Sequence, residues 1–342
     1  MIRSLTLAAG FAAGVLGSAA GAQEITLRLH HILPAQAYSA VHFIQPWADR
    51  VMAESEGRIE VQVYPAMSLG GTPPQLFDQA RDGIVDIVWT LAGYTPGRFP
   101  LAEIFDLPFI APDAEHGSRA AWRFFEAHLR EEFADIHPIA VHVHGPGQLH
   151  IRAPAVRTPD DLAGRSVRGG TRMVNRLLEE LGAQPVGMPV SQVSEALSRN
   201  VIDGTVIPWE VTQAFRVAEL TGTHTEFVGD RGLYTTFFLF AMSPEAYAEM
   251  PADLRAVIDA NSGIETSAWL GRVMDEADEP ARAVAIERGN EIVTITGDAL
   301  DPWREAAHRV REEWADAMEA RGIDARALIA DLERLIAEET PH

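Results

Sequence analysis

The chain has 342 residues, 47% of them hydrophobic, with no cysteine and a formal net charge of −21. Such a composition belongs to a globular protein long enough for two lobes, and it excludes disulfides, thiolate nucleophiles and cysteine-ligated metals. The negative charge argues against nucleic acid or anionic lipid as a partner, so an anionic ligand would need a local cation inside a cleft.

The first 22 residues read as a separate unit. Arg3 supplies a positive start, Leu5 to Ala19 carries no charge, and Ala20-Gly21-Ala22 is an A-x-A cleavage site. Together they make a secretory signal peptide, with Gln23 as the mature start. Loss of the single positive charge of Arg3 takes the net charge from −21 to −22. The apolar run is short for a membrane span, and no later run reaches spanning length, so no direct membrane insertion is expected.

From Ile25 the residues alternate through Ile32 as a strand, followed by a helix with Ile44, Trp47 and Val51 on its apolar face and Pro46 near its first turn. Ile59 to Tyr64 is a second alternating strand, Gln75 to Arg81 a short helix closed at Gly83, and Val85 to Trp89 a third strand. Ile139 to Val143 reads as another strand. Thr158, Pro159 and Asp161 have the order of an N-cap, N1 and N3, delivering the chain into the strand Ser166 to Arg168. A helix with Met173, Val174, Leu177, Leu178 and Leu181 on one face ends at Gly182. Ser191 can cap a helix to Asn200, and Val201 to Pro208 forms a turn and strand. Thr235 to Met242 is an apolar strand, Ser243-Pro244 starts a helix, and Ser262 to Gly289 is a long helix containing Pro280. A strand from Glu291 to Thr296 and two amphipathic helices, Trp303 to Arg321 and Ala325 to Glu338, complete the chain. Alternation of strand and helix from the start signals an α/β fold with largely parallel strands.

None of the motifs of serine hydrolases, zinc proteases, nucleotide-phosphate loops or dinucleotide-binding turns is present. His142-x-His144 puts two imidazoles on one face of a strand, with His30-His31 and His150 at other strand ends, but no third ligand stands at a metal-site spacing. No metal and no cofactor are expected. Arg152 follows one strand and Arg168 ends the next; strand ends are where α/β sheets bind ligands, and a guanidinium fork matches a carboxylate. Tyr94 and Trp209 follow strands and are candidate flat walls of a pocket, and His31, at a strand end, is a further candidate ligand contact.

Leu162-Ala-Gly164-Arg-Ser-Val-Arg168, Leu181-Gly182-Ala183, Pro185, Met188-Pro189, Val193, Ala196-Leu197 and Ile202-Asp203-Gly204 closely resemble the DctP-type receptors of TRAP transporters. Gly57-Arg58-Ile59, Tyr64-Pro65, Leu69-Gly70, Asp82-Gly83, Val85-Asp86 and Leu107-Pro108-Phe109 fit the same family, so the resemblance covers essentially the mature chain. It implies a periplasmic solute-binding protein, not an enzyme, with a two-lobed fold of discontinuous lobes joined by hinge strands and a long bracing helix. The expected division is 23–145 plus about 234–274 for one lobe, and 146–233 plus about 275–342 for the other. The resemblance makes Arg168 the carboxylate clamp, with Arg152 a second recurrent arginine. It implies a small organic acid as ligand, TRAP permease membrane subunits as partners, and a monomer. Ile207 stands where many relatives have Asn, and the second arginine and acidic residue of sialic-acid receptors have no match here, which disfavours sialic acid. Two alternatives remain: a ligand sensor for a membrane signalling partner, and a periplasmic hydrolase or lyase using His142 and His144.

Overall fold

The computed structural model describes residues 23–229 and 231–340; the expected signal peptide lies outside them. The alternating runs near the start form β1 (Ile25–His31), β2 (Ile59–Tyr64) and β3 (Ile87–Leu91). β4 (His137–Val143), β5 (Gln148–Ile151), β6 (Ser166–Gly169), β7 (Gln184–Gly187), β8 (Gly204–Ile207), β9 (Thr223–Phe227), β10 (Phe237–Met242) and β11 (Glu291–Ile295) follow. They divide into two sheets, ordered β2-β1-β3-β10-β4 and β11-β9-β5-β8-β6-β7.

One strand in each sheet runs against its neighbours: β10 in the first and β5 in the second. These are the strands that have just crossed between sheets. The other strands point their carboxyl ends toward a shared cleft. A chain leaving one sheet at that cleft therefore enters the other from the cleft side and runs backward through it. The two crossings are tied together, because the Gly147 amide donates to the Tyr234 carbonyl at 2.9 Å. The Tyr234 ring lies so close that a β-carbon on Gly147 would fall 1.9 Å from it, so only glycine fits there.

The helices are α1 (Gln45–Glu54), α2 (Leu76–Arg81), α3 (Ala114–Phe124), α4 (Arg172–Glu180), α5 (Val193–Ser198), α6 (Val217–Leu220), α7 (Pro244–Glu249), α8 (Ala252–Ala260), α9 (Ile264–Glu287), α10 (Asp301–Glu319) and α11 (Ala325–Glu339). α9 is the expected long helix, with Pro280 inside it. It grips both lobes through carboxylates one turn apart. Asp275 accepts from the amides of Ala114 and Glu115 at the start of α3, at 2.9 and 2.8 Å, and Asp278 accepts from the Glu210 amide at 2.8 Å. α3 packs on the first sheet, whereas Glu210 follows β8 of the second.

The end of the chain departs from the expected division. Trp303, Ala306 and Val310 of α10 join the core of the second lobe, but Trp314, Ala315 and Met318 join that of the first, as do Leu332, Leu335 and Ile336 of α11. α11 packs against α3, so the chain crosses once more within α10. Two strands were not legible, although the strand before Arg152 was. β7 contains Pro185 and lies at a sheet edge, where a missing amide is tolerated. β9 carries Thr223, His224, Thr225 and Glu226, all buried, which defeats a search for apolar alternation. Ser191 does not cap a helix; it sits inside a 3-10 turn, Val190–Gln192, that precedes α5.

Candidate functional site

The period-2 alternation of β3, β10 and β4 sorts their side chains. Phe237, Leu239, Val141 and Val143 point into one core of the first lobe. Trp89, Leu91, Thr236, Phe238, His142 and His144 point the other way, and Trp89, Leu91, Thr236, Phe238 and His144 line a small cavity between the lobes. Trp89 and Phe238 stack at 4.9 Å between centroids, and Phe238 and His142 at 4.6 Å, giving a flat apolar wall.

From the second lobe, β6 brings Arg168. Val167 faces the lobe core, so Arg168, next along, faces the cleft. It is only 3% exposed. Its Nε donates to the Met188 carbonyl at 2.8 Å, which fixes the plane of the guanidinium. Gly170 leaves room for it, since a β-carbon there would lie 3.0 Å from one terminal nitrogen. Among the described residues no carboxylate pairs with Arg168; the Tyr94 hydroxyl is within its reach, and its terminal nitrogens otherwise face the cavity it lines. A buried guanidinium without a protein counter-ion is costly unless something anionic completes it.

The neighbours of Arg168 are neutral. The Nδ1–H of His144 donates to the Gly145 carbonyl, leaving Nε2 as an acceptor. Burial, aided by the nearby Arg168 charge, depresses the His144 pKa to about 4. Burial raises the Tyr94 and Tyr234 hydroxyls while the Arg168 charge opposes the shift. Tyr94 reaches across the cleft, accepting from the Val190 amide at 3.1 Å. Thr236 lies beside His144, because Phe237 pairs with Val143; its buried hydroxyl has no partner among the described residues. On the far side, Glu210 lines the same cavity, and burial pushes its carboxyl up to about 7.

Of the residues read from the sequence, the structure brings Arg168 and Tyr94 to this cavity. It places Arg152 elsewhere. That guanidinium donates to the carbonyls of Ile202, at 3.2 Å, and Leu197, just beyond and within α5. A helix end with unsatisfied carbonyls is a sufficient explanation for that arginine. Trp209 is also outside the cavity lining. Its indole donates to Glu226 at 2.9 Å and packs edge-on against His150, because its neighbours Pro208 and Glu210 are the ones turned inward. His31 is fully buried behind the lining residues Ile32 and Leu33; its Nδ1 accepts from the Leu33 amide at 3.2 Å. Sequence reasoning passed over Thr236, Phe238, Tyr234 and Glu210. The alternation of the Thr235–Met242 strand could have paired Thr236 and Phe238 with the face of His142 and His144. Nothing local marks Tyr234 or Glu210.

The histidines form structural chains. Trp89 Nε1–H donates to His142 Nε2 at 2.8 Å, so His142 Nδ1 carries the proton that meets the Val143 carbonyl. His150 and His224 join through their Nδ1 atoms at 2.7 Å, with Ile207 and Asn290 at the outer ends.

The lobes meet around the cavity. Arg172 of α4 pairs with Glu103 of the first lobe, with Nε to Oε1 at 2.9 Å. A β-carbon on Gly93 would stand 2.5 Å from Thr171 Cγ2. With the lobes this close the cavity is about 40 Å³. An apolar cavity of about 150 Å³ accepts benzene, so even a single ring requires the walls to part slightly. A larger open groove of about 510 Å³ adjoins it and shares Tyr94 and Gly170, but its lining omits Arg168.

The profile of bacterial extracellular solute-binding protein family 7, DctP, matches residues 30–317. The fold is similar to that of a TRAP solute-binding protein from Rhodoferax ferrireducens T118, solved with copurified benzoate: 43% identity, TM-score 0.90, covering 92% of this chain and 98% of that one. It is equally similar to a marine-metagenome TRAP solute-binding protein specific for aromatic acid ligands, solved with 3-hydroxybenzoate: 42% identity, TM-score 0.91, covering 93% and 100%. Among curated proteins, the outer membrane transporter protein TsaT of Comamonas testosteroni is 25% identical over 95% of both chains.

Proposed function

For this chain, which belongs to bacterial extracellular solute-binding protein family 7, we propose a receptor that captures a small aromatic monocarboxylate and delivers it to the membrane subunits of a TRAP permease. The observation that carries this reading is Arg168: a buried guanidinium with no protein counter-ion, facing a cavity walled by Trp89, Phe238 and Leu91. Its terminal nitrogens match a carboxylate in two parallel hydrogen bonds, and Thr236 offers a further donor. The flat wall suits an aromatic ring and offers a sugar few polar partners. The two similar structures with benzoate and 3-hydroxybenzoate support the same class of ligand.

The mechanism is binding by closure. The second lobe presents Arg168, the first presents the aromatic wall, and closure removes water, which strengthens the ion pair. Closure also creates a surface that a permease can distinguish from the open form. With His144 neutral, the ionisable groups that set the charge facing the ligand are Arg168 and Glu210. No covalent step is required, and the protein acts as a carrier, not an enzyme. The reading includes export to the periplasm, cleavage after Ala22, and 23–145 as the body of the first lobe. Calorimetric titration with benzoate, a linear dicarboxylate and a neutral sugar tests it. Micromolar or tighter binding of benzoate alone is expected; binding only of the dicarboxylate or the sugar would contradict it.

A further inference from the structure

The cavity has two polar ends. Arg168 stands at one, with Tyr94, Tyr234 and His144 all feeling its charge. Glu210 stands at the other, governed by its burial and by Ser39. The strand register separates them. Arg168 lies opposite Thr205 in β8, and Glu210 comes five residues later, in the turn after Pro208. At about 3.3 Å per strand residue, that turn starts roughly 10 Å past Thr205.

Glu210 is held in place but not satisfied. Its amide is bonded to Asp278, which fixes the backbone, while its carboxyl has one long contact, Ser39 Oγ at 3.5 Å. No arginine pairs with it among the described residues, and only 7% of the residue is exposed. A buried carboxyl with spare acceptor capacity is costly unless a donor reaches it. Between the two ends the lining is apolar: Trp89, Leu91 and Phe238 on one side, Ile207 and Val211 on the other. A ligand that fills this space with its carboxylate on Arg168 brings the far edge of its ring to Glu210.

We infer that Glu210 is a specificity-determining residue that accepts a hydrogen bond from a ring hydroxyl, so that the receptor favours hydroxylated aromatic acids over the unsubstituted ones. The inference rests on the aromatic-acid reading of the same site and sharpens it. A phenol donates its proton to the carboxyl. A methyl ether of the same shape cannot donate, and its oxygen would face an acceptor.

The test is calorimetric titration of the full mature chain with benzoate, 3-hydroxybenzoate, 4-hydroxybenzoate and the two corresponding methoxybenzoates. Titrated at pH 8, above the raised pKa of Glu210, at least one hydroxybenzoate should bind about ten-fold tighter than benzoate, as expected for a hydrogen bond to a charged acceptor, and its methyl ether should lose that gain. Glu210→Gln should narrow the ratio of hydroxybenzoate to benzoate affinity, and Glu210→Leu should abolish it. Affinities of benzoate and both hydroxybenzoates within about three-fold on the unsubstituted protein would overturn the role of Glu210 and leave the aromatic-acid reading standing. A preference that survives Glu210→Leu would do the same. If that variant does not fold, the ether comparison and Glu210→Gln decide. Failure of every aromatic acid to bind would overturn both readings.

Discussion

Arg172 of the second lobe sets Nε and a terminal nitrogen against the two carboxylate oxygens of Glu103 in the first, tying the lobes beside the cavity. Glu103 is buried and Arg172 nearly half exposed, so solvent screens part of the attraction. The pair spans the two lobes, so an opening that separates them would break it. Arg172→Ala should therefore raise the dissociation constant by about five-fold, equivalent to ~1 kcal/mol, chiefly through faster release. Stopped-flow measurement of ligand dissociation checks this. An unchanged release rate would show that the ion pair does not hold the closed form.

Gly93 and Thr171 set a steric limit on closure. A β-carbon at position 93 would meet Thr171 Cγ2 at 2.5 Å and Cβ at 2.9 Å, closer than side chains tolerate. Gly93→Ala should weaken ligand binding by ten-fold or more, on the order of the 1–3 kcal/mol that overpacking costs. The unfolding temperature of the ligand-free protein should change little. Thr171→Gly should restore part of the affinity in the double variant. Full affinity in Gly93→Ala alone would mean that binding does not need this approach.

Arg152→Ala separates the two arginines. Its guanidinium serves carbonyls at and near the end of α5, not the cavity. Removal should lower stability by about 1–2 kcal/mol in urea denaturation and leave ligand affinity within about two-fold. A large affinity loss without loss of stability would return Arg152 to the site.

Stability should rise with pH between about 5 and 7. Burial lowers His31, His144 and His224 to about 4, His142 to about 3, His150 well below its ordinary value, and His30 and His137 as well. Each binds a proton more readily when unfolded, so its contribution is present above the unfolded value near 6.5 and is lost as pH falls. Burial raises Glu210 to about 7, Asp275 to about 6, Asp106 and Asp278 well above the carboxylate range, and Glu132 as well. These five work the other way, losing stability as pH rises from about 4.5 to 7. Seven histidines outweigh five carboxyls, and each net proton changes stability by about 1.4 kcal/mol per pH unit. Denaturation midpoints measured in urea at pH 5, 6 and 7 should increase in that order; a decrease would show that the acids dominate.

Much of the fold was legible because its helices and most strands have simple apolar periods. Thr158 does form the expected capping box with Asp161, and Pro46 does lie in the first turn of α1. The site was legible only where one residue speaks for itself. Arg168 combines a strand end with a family position, and Tyr94 follows a strand directly into the cleft. Trp209 misled because the turn after Pro208 points alternate residues in opposite directions, and its indole found Glu226 instead. Glu210 and Tyr234 could not be found from spacing, since their positions depend on α9 and on the paired crossings. The last crossing, within α10, leaves no mark in a helix whose apolar stripe runs unbroken from Trp303 to Met318.

The most direct measurement is calorimetric titration of benzoate or a hydroxybenzoate into the unsubstituted protein, Arg168→Lys and Arg168→Ala, with circular dichroism on each. Removing the guanidinium leaves the ligand carboxylate buried without its partner, a loss of about 3–5 kcal/mol, or roughly two to three and a half decades in affinity. Lysine keeps the charge but not the planar fork, so its loss should be smaller and still clear. That order of affinities in three folded proteins is the expected result. A folded Arg168→Ala protein that binds the acid with near-normal affinity would contradict the account.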